Sequence, residues 1–200
     1  VTGIVLHDFP LDPRCYAARL ALSILGIGHR VRPVDVYPGR EHLADTYRAL
    51  TPTGLLPVLE SGDTVAIGTV DVLKHLTGGD DSTATWTGPG VERWLDFAAG
   101  PLEAVYAARE IALYTTEPPD IGDAVAALRT LDDHLAVQRL RGLWVVGEHP
   151  TIADIALYPA AALSRDIGID HDTFPALRHW LRRVKALPGF VEMPGIPVFP

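Results

Sequence analysis

Every short, β-branched apolar run that could serve as a strand lies before residue 68 of this 200-residue chain, and only helical spacing follows. That asymmetry restricts the fold more than any other feature. Side chains repeat with period 2 along a strand and 3.6 along a helix, so one pattern does not settle as the other. The runs cover residues 3–7, 31–36, 55–59 and 64–67. The last two are separated by Ser61-Gly62-Asp63, short enough for an antiparallel hairpin. Residues 15–26 carry apolar helical spacing and end in glycine, a common helix stop. Asp12-Pro13 supplies the start: the aspartate can cap free N–H groups, and a proline at the first helical position gives up a donor that had no partner. Residues 40–50 read as a polar helix closed by Thr51-Pro52-Thr53-Gly54, and residues 70–76 as a short helix. The order is β-α-β-α-β-β-α, an α/β unit with helices on a small mixed sheet.

Between residues 77 and 89 the composition turns to Gly, Asp, Ser and Thr, which marks a linker. Beyond it no convincing strand pair occurs. Residues 91–114 form a long helical pattern with a bend expected at Gly100-Pro101, because proline removes a helix hydrogen bond. Residues 121–140, 151–164 and 173–187 follow, then an irregular Pro/Gly-rich tail. The predicted domains are residues 1–78, a linker at 79–89, and an all-helical domain over 90–200.

Composition is that of a globular protein, with 48% apolar and 21% charged residues. The formal net charge of −8 argues against a nucleic-acid partner, which needs a clustered basic surface. The densest basic run, with Arg178, Arg182, Arg183 and Lys185, reads as the solvated face of one helix. A lone cysteine, Cys15, excludes an internal disulfide and a multi-cysteine zinc site, and fits a reducing compartment. No charged-then-apolar leader opens the chain, and no apolar run approaches the roughly 18–20 residues that span a bilayer. A cytoplasmic protein without a membrane partner is expected. The eight histidines lack metal-ligand spacing, so no metal is assigned. Lysine occurs only at Lys74 and Lys185 among many arginines, a bias of GC-rich bacterial coding sequence.

Four local motifs, in order, carry a family resemblance. Residues 49–59, with Thr51-Pro52-Thr53-Gly54-Leu55-Leu56-Pro57-Val58-Leu59, resemble the "NPxGxVPVL" segment of glutathione transferases. Gly147-Glu148-His149-Pro150-Thr151-Ile152-Ala153-Asp154-Ile155-Ala156 resembles their "GxxPTxADxA" box, where Thr151 and Asp154 make a capping-box arrangement. Phe174-Pro175-Ala176-Leu177 with Leu187-Pro188-Gly189-Phe190 is similar to the last helix and its exit. Arg93-Trp94-Leu95-Asp96-Phe97 is similar to a segment of a bacterial subgroup. The resemblance spans nearly the whole chain. It implies a thioredoxin-like N-terminal domain, an all-α C-terminal domain and a homodimer. It also implies a cis bond before Pro57, with the main chain of Leu56 pairing with the cysteinyl part of glutathione.

Such enzymes lower the pKa of a bound thiol, which is about 8.5 when free, and present the thiolate to an electrophile. The help usually comes from a Ser, Tyr or Cys hydrogen-bonding the sulfur near the start of the first helix. Alignment on Arg19-Leu20-Ala21-Leu22 places Asp12 at that position. An ionised carboxylate accepts hydrogen bonds and cannot donate one. Two unit charges ~4 Å apart at an effective dielectric of ~20 repel by ~4 kcal/mol, which would raise the thiol pKa by roughly three units. Asp12 is therefore a helix cap or, if protonated, a proton-handling group. Cys15, in the first helical turn, is either a thiolate favoured by the helix N-terminus or a buried inert residue. Gly68 and Thr69 stand where relatives carry an acid and a serine that hold the γ-glutamyl end. Thr69 can replace the serine at a helix N-terminus; Gly68 cannot replace the acid. Leu55 stands where a polar side chain often meets the glycyl end.

The resemblance implies an electrophile pocket lined from the long helix after the linker, with Trp94, Tyr106, Arg109 and Tyr114 as candidates. Tyr106 and Arg109 are i, i+3 and share a face. A charged Arg109 within an apolar stretch needs a partner or a ligand. The expected function is a transferase-like enzyme that uses glutathione or another small thiol as co-substrate on a small electrophile. The alternatives are a non-catalytic binding or scaffold protein that keeps the fold, and a redox protein acting through Cys15.

Overall fold

The computed structural model describes residues 3–78 and 81–193 and divides the chain into two compact units. The first comprises residues 3–78 together with 188–193, and the second residues 81–187. Side chains are described for residues 3–78 and 83–193.

In the first unit, β1 (Ile4–Asp8) lies parallel to β2 (His29–Pro33) and antiparallel to β3 (Val58–Ser61), which pairs with β4 (Thr64–Ile67). The sheet order is β2-β1-β3-β4. Helix α1 (Pro13–Ile24) starts as the sequence predicts: Asp12 is the N-cap and Pro13 opens the first turn. Its apolar positions, among them Cys15, Tyr16, Ala18, Leu20 and Leu22, are buried. The hairpin register holds Val58 opposite Ile67, and α3 (Thr69–Thr77) follows directly.

The strand predicted over 55–59 is displaced to Val58–Ser61, because Pro57 has no N–H for the ladder, and two other elements also differ from their predicted bounds. The second strand ends at Pro33, where the run of apolar residues suggested it continued to 36. Proline has no N–H for the ladder, and Val34 then turns inward to pack with Cys15, Tyr47, Leu56 and Val58. The polar helix predicted over 40–50 is a 3-10 turn at Glu41–Leu43 followed by the single-turn α2 (Asp45–Arg48). Local side-chain bonds compete with a continuous helix there: Asp35 Oδ1 accepts the Gly39 N–H at 3.0 Å, and Glu41 Oε2 accepts the Asp35 N–H at 3.1 Å. Arg40 is left-handed (φ 54) and Ala44 extended, so no helix passes through either.

The second unit is built from α4 (Val91–Ala99), α5 (Glu103–Tyr114), α6 (Gly122–Leu140), α7 (Ile152–Leu163) and α8 (Pro175–Lys185). The bend expected at Gly100-Pro101 is a full break, with Gly100 at φ −124, ψ −99. Every residue of α7 is buried, which marks it as the central helix. Its capping box is formed as read: Asp154 Oδ2 accepts the Thr151 N–H at 2.9 Å. Asp154 Oδ1 also accepts the Trp180 Nε1–H at 2.8 Å, tying α7 to α8.

Residues 188–193, which the sequence groups with the helical domain, belong to the first unit. The Tyr16 hydroxyl donates to the Val191 carbonyl at 2.7 Å. A Cβ at Gly189 (φ 78) would stand 2.6 Å from the Ser23 carbonyl oxygen, so only glycine fits that approach. Among the described residues no helix is long and apolar enough to cross a membrane, and no group of three or more His, Cys, Asp or Glu residues could hold a metal ion.

Candidate thiol-binding site

The loop after β1 folds back on itself before α1 begins. Phe9 is its hub: its carbonyl accepts the Asp12 N–H at 3.0 Å, and its own N–H points to Cys15 Sγ at 3.5 Å. Asp12 Oδ1 then accepts the Arg14 N–H at 2.7 Å, the capping bond expected of an aspartate ahead of a proline-started helix. Asp12 thus faces the first turn of α1, where free amides and the helix dipole favour negative charge. Burial nevertheless dominates and raises its pKa above 3.8, against the lowering effect of the Arg14 amide and the Arg14 and Arg19 charges.

Cys15 is fully buried and packs with Leu56, Val58, Val34 and Tyr47. Burial first, and the Asp12 carboxylate second, push its thiol well above the ordinary cysteine range. A thiolate is disfavoured at a position with no solvent access, so Cys15 as placed here is a packing residue.

At Leu56 and Pro57 the chain returns to the same place, where Leu56 packs on Cys15. The Leu56–Pro57 bond is cis, as the resemblance implies. A second cis bond, Tyr37–Pro38, had no signal in the sequence reading. The Pro57 carbonyl accepts the Gly68 N–H at 2.8 Å, which ties this segment to the start of α3. Leu56 is 5% exposed, and among the described residues its main-chain N–H and C=O enter no hydrogen bond.

Gly68 precedes α3 at φ 82, ψ 164, and no side chain caps the helix. A Cβ at Gly68 would meet nothing within 4 Å. The Thr69 hydroxyl donates, at 3.4 Å, to the carbonyl of Arg14 in α1. Residues 12, 15, 56, 57, 68 and 69 are therefore joined by contacts within the first unit, although they come from three separate stretches of sequence. Leu55, beside them, is 53% exposed.

Tyr106 and Arg109 lie on α5 in the second unit. Tyr106 is buried. Arg109 has the partner its charge requires: its Nε donates to Asp166 Oδ2 at 2.6 Å. Trp94 is 6% exposed and packs on His134, with ring centroids 4.4 Å apart, inside the helical core. Tyr114 is 74% exposed.

One residue of the site escaped the sequence reading. Arg19, on α1, pairs with the buried carboxylate of Asp8 and donates through Nη2 to the Pro10 carbonyl at 2.9 Å and through Nη1 to the Phe9 carbonyl at 3.4 Å. An arginine amid the apolar residues of α1, facing an aspartate at the end of β1, was the available signal.

Residues 6–81 match the family description "Glutathione S-transferase, N-terminal domain", and residues 103–183 match "Glutathione S-transferase, C-terminal domain". The chain is 27% identical to the maleylacetoacetate isomerase of Rhizobium meliloti (strain 1021), over 93% of each chain. It is 26% identical to the maleylpyruvate isomerase of Ralstonia sp, over 86% of this chain and 88% of that one. A solved structure described as a possible glutathione S-transferase from Rhodopseudomonas palustris superimposes with a TM-score of 0.82 at 27% identity, covering 97% of this chain and 99% of the other. With both domains matched in order, and the sheet and helices arranged as above, the chain belongs to the glutathione transferase superfamily.

Proposed function

We propose that this chain is a glutathione transferase-like enzyme that binds glutathione or a related small thiol on its first unit and directs the sulfur at a small electrophile. The observation that carries this reading is the unpaired main chain of Leu56. A main-chain N–H and C=O without protein partners can each take a ligand hydrogen bond, worth about 0.5–1.5 kcal/mol net, and one extended peptide-like ligand would satisfy both. The uncapped N–H groups opening α3 at Thr69 suit a carboxylate of the same ligand. Asp12 serves as the cap of α1 and does not donate to the sulfur. Tyr106 is the candidate contact for the electrophile, with Arg109 held in place by Asp166. The proposed assembly is a homodimer.

A second reading is narrower. Two relatives aligned over most of the chain are named isomerases. The corresponding reaction here would add the thiolate to one carbon of an activated cis double bond. Rotation about the resulting single bond and expulsion of the thiolate would then return the thiol unchanged. Nothing is consumed, so weak thiol activation suffices where the acceptor is strongly electrophilic.

Both are tested with the intact protein. Millimolar glutathione should raise the melting temperature by a few degrees, and turnover of either a chloronitrobenzene or maleylpyruvate should depend on the thiol. Thiol-dependent turnover of maleylpyruvate alone selects the isomerase reading. Binding without turnover of any electrophile contradicts the enzyme reading. No thermal shift with glutathione, cysteine or N-acetylcysteine contradicts the thiol site itself.

A further inference from the structure

We propose that Arg19 is the positioning residue of the thiol site, acting through the turn at residues 8–10; the proposal rests on the thiol-site reading above. One guanidinium engages three consecutive residues: the Asp8 carboxylate and the carbonyls of Phe9 and Pro10. Its carbon lies 5.8 Å from the centroid of the Tyr16 ring, one turn earlier on the same helix. The Arg19 side chain is 19% exposed and that of Asp8 6%, so the pair is screened little by solvent.

What this fixes is specific. The Phe9 carbonyl accepts from Arg19 and also from the Asp12 N–H, while the Phe9 N–H is aimed at Cys15 Sγ. The peptide units flanking Phe9 are therefore tied to α1 on both sides. The position of Asp12, two residues beyond Pro10, follows from that anchoring. So does the direction in which the first turn of α1 faces. Only a planar fork with five donors can reach a carboxylate and two carbonyls at once; an ammonium is a single point charge.

A role limited to neutralising Asp8 makes a different forecast, and Arg19→Lys separates the two. Lysine keeps the charge beside Asp8 but cannot hold both carbonyls. The proposal expects Arg19→Lys to recover most of the melting temperature lost in Arg19→Gln, while the thiol KM stays roughly tenfold above that of the unaltered protein with kcat little changed. Asp132→Asn, which weakens the distant bond to the Leu177 N–H, serves as the control that destabilises without raising KM. Amide hydrogen exchange supplies a readout that needs no thiol: the Phe9 and Asp12 N–H groups should exchange at least tenfold faster in Arg19→Lys.

Arg19→Lys with an unchanged KM and unchanged exchange at Phe9 and Asp12 would overturn the proposal. So would a KM restored in step with the melting temperature, because charge alone would then account for the residue. If Arg19→Gln does not fold, Arg19→Lys decides by itself. Absence of thiol-dependent turnover in the unaltered protein counts against the thiol site, and the exchange measurement then still judges the clamp.

Discussion

The Asp12 carboxylate accepts the Arg14 N–H at 2.7 Å and also the Cys15 N–H, bonds that ask only for an oxygen acceptor. Serine offers the same acceptor at an N-cap with little loss, and in addition a hydroxyl hydrogen that a carboxylate lacks. Removing the negative charge also removes the repulsion a nearby thiolate would feel, a few kcal/mol at close range and partial screening. Asp12→Ser is thus expected to raise kcat/KM with glutathione at pH 7 about tenfold, with the acidic limb of the pH profile moved to lower pH. A tenfold fall would instead mean that Asp12 handles a proton. Cys15 differs in kind: full burial beneath Phe9 removes it from solvent, and its identity as cysteine is not needed for the chemistry described.

Helix starts were the most legible elements, because capping is local chemistry. Asp12-Pro13 and Thr151 with Asp154 both stand where the sequence placed them. The 40–50 region was not legible, since its outcome depends on which of Asp35 and Glu41 captures which amide, a competition among bonds of similar strength. β2 was misplaced because its five residues are all exposed and carry no apolar alternation to read. The 3-10 turns after α7, Ser164–Ile167 and His171–Thr173, contain a pH-sensitive contact. His171 is buried, with Nε2 2.9 Å from the Ser164 hydroxyl, and burial, then Arg165, lowers its pKa from 6.5 to about 4. The folded state therefore binds fewer protons than the unfolded chain between those values, so stability is fully present above about pH 6.5 and falls as the pH drops to about 4. Over that window the loss is on the order of 3 kcal/mol. In His171→Gln this component should vanish. Urea unfolding of both proteins at pH 7 and pH 4.5 checks it; an equal loss in both would contradict the assignment.

At the scale of the molecule, the order of strands and helices was enough to assign an α/β unit followed by a helical one, because burial forces each period into its own kind of layer. Pairing order and the destination of the tail were not in the pattern. Residues 188–193 join the first unit through contacts such as the Tyr16 hydroxyl to Val191 and the close approach of Gly189 to Ser23, which leave no periodic trace. The site divides in the same way. Leu56, Pro57 and Thr69 are proposed as site residues from short motifs, whereas the Arg19 clamp joins charges eleven positions apart across a loop and emerges only from coordinates.

The claim on which the functional account depends is that the Leu56 amide accepts a peptide-like thiol as its missing partner. Titration of isotopically labelled protein with glutathione, followed by amide NMR, tests it directly. The account expects the Leu56 N–H resonance to move saturably at millimolar ligand, with the Thr69 amide moving along the same binding curve. A Leu56 resonance that stays in place with glutathione, cysteine and N-acetylcysteine alike, while the protein remains folded, would contradict it.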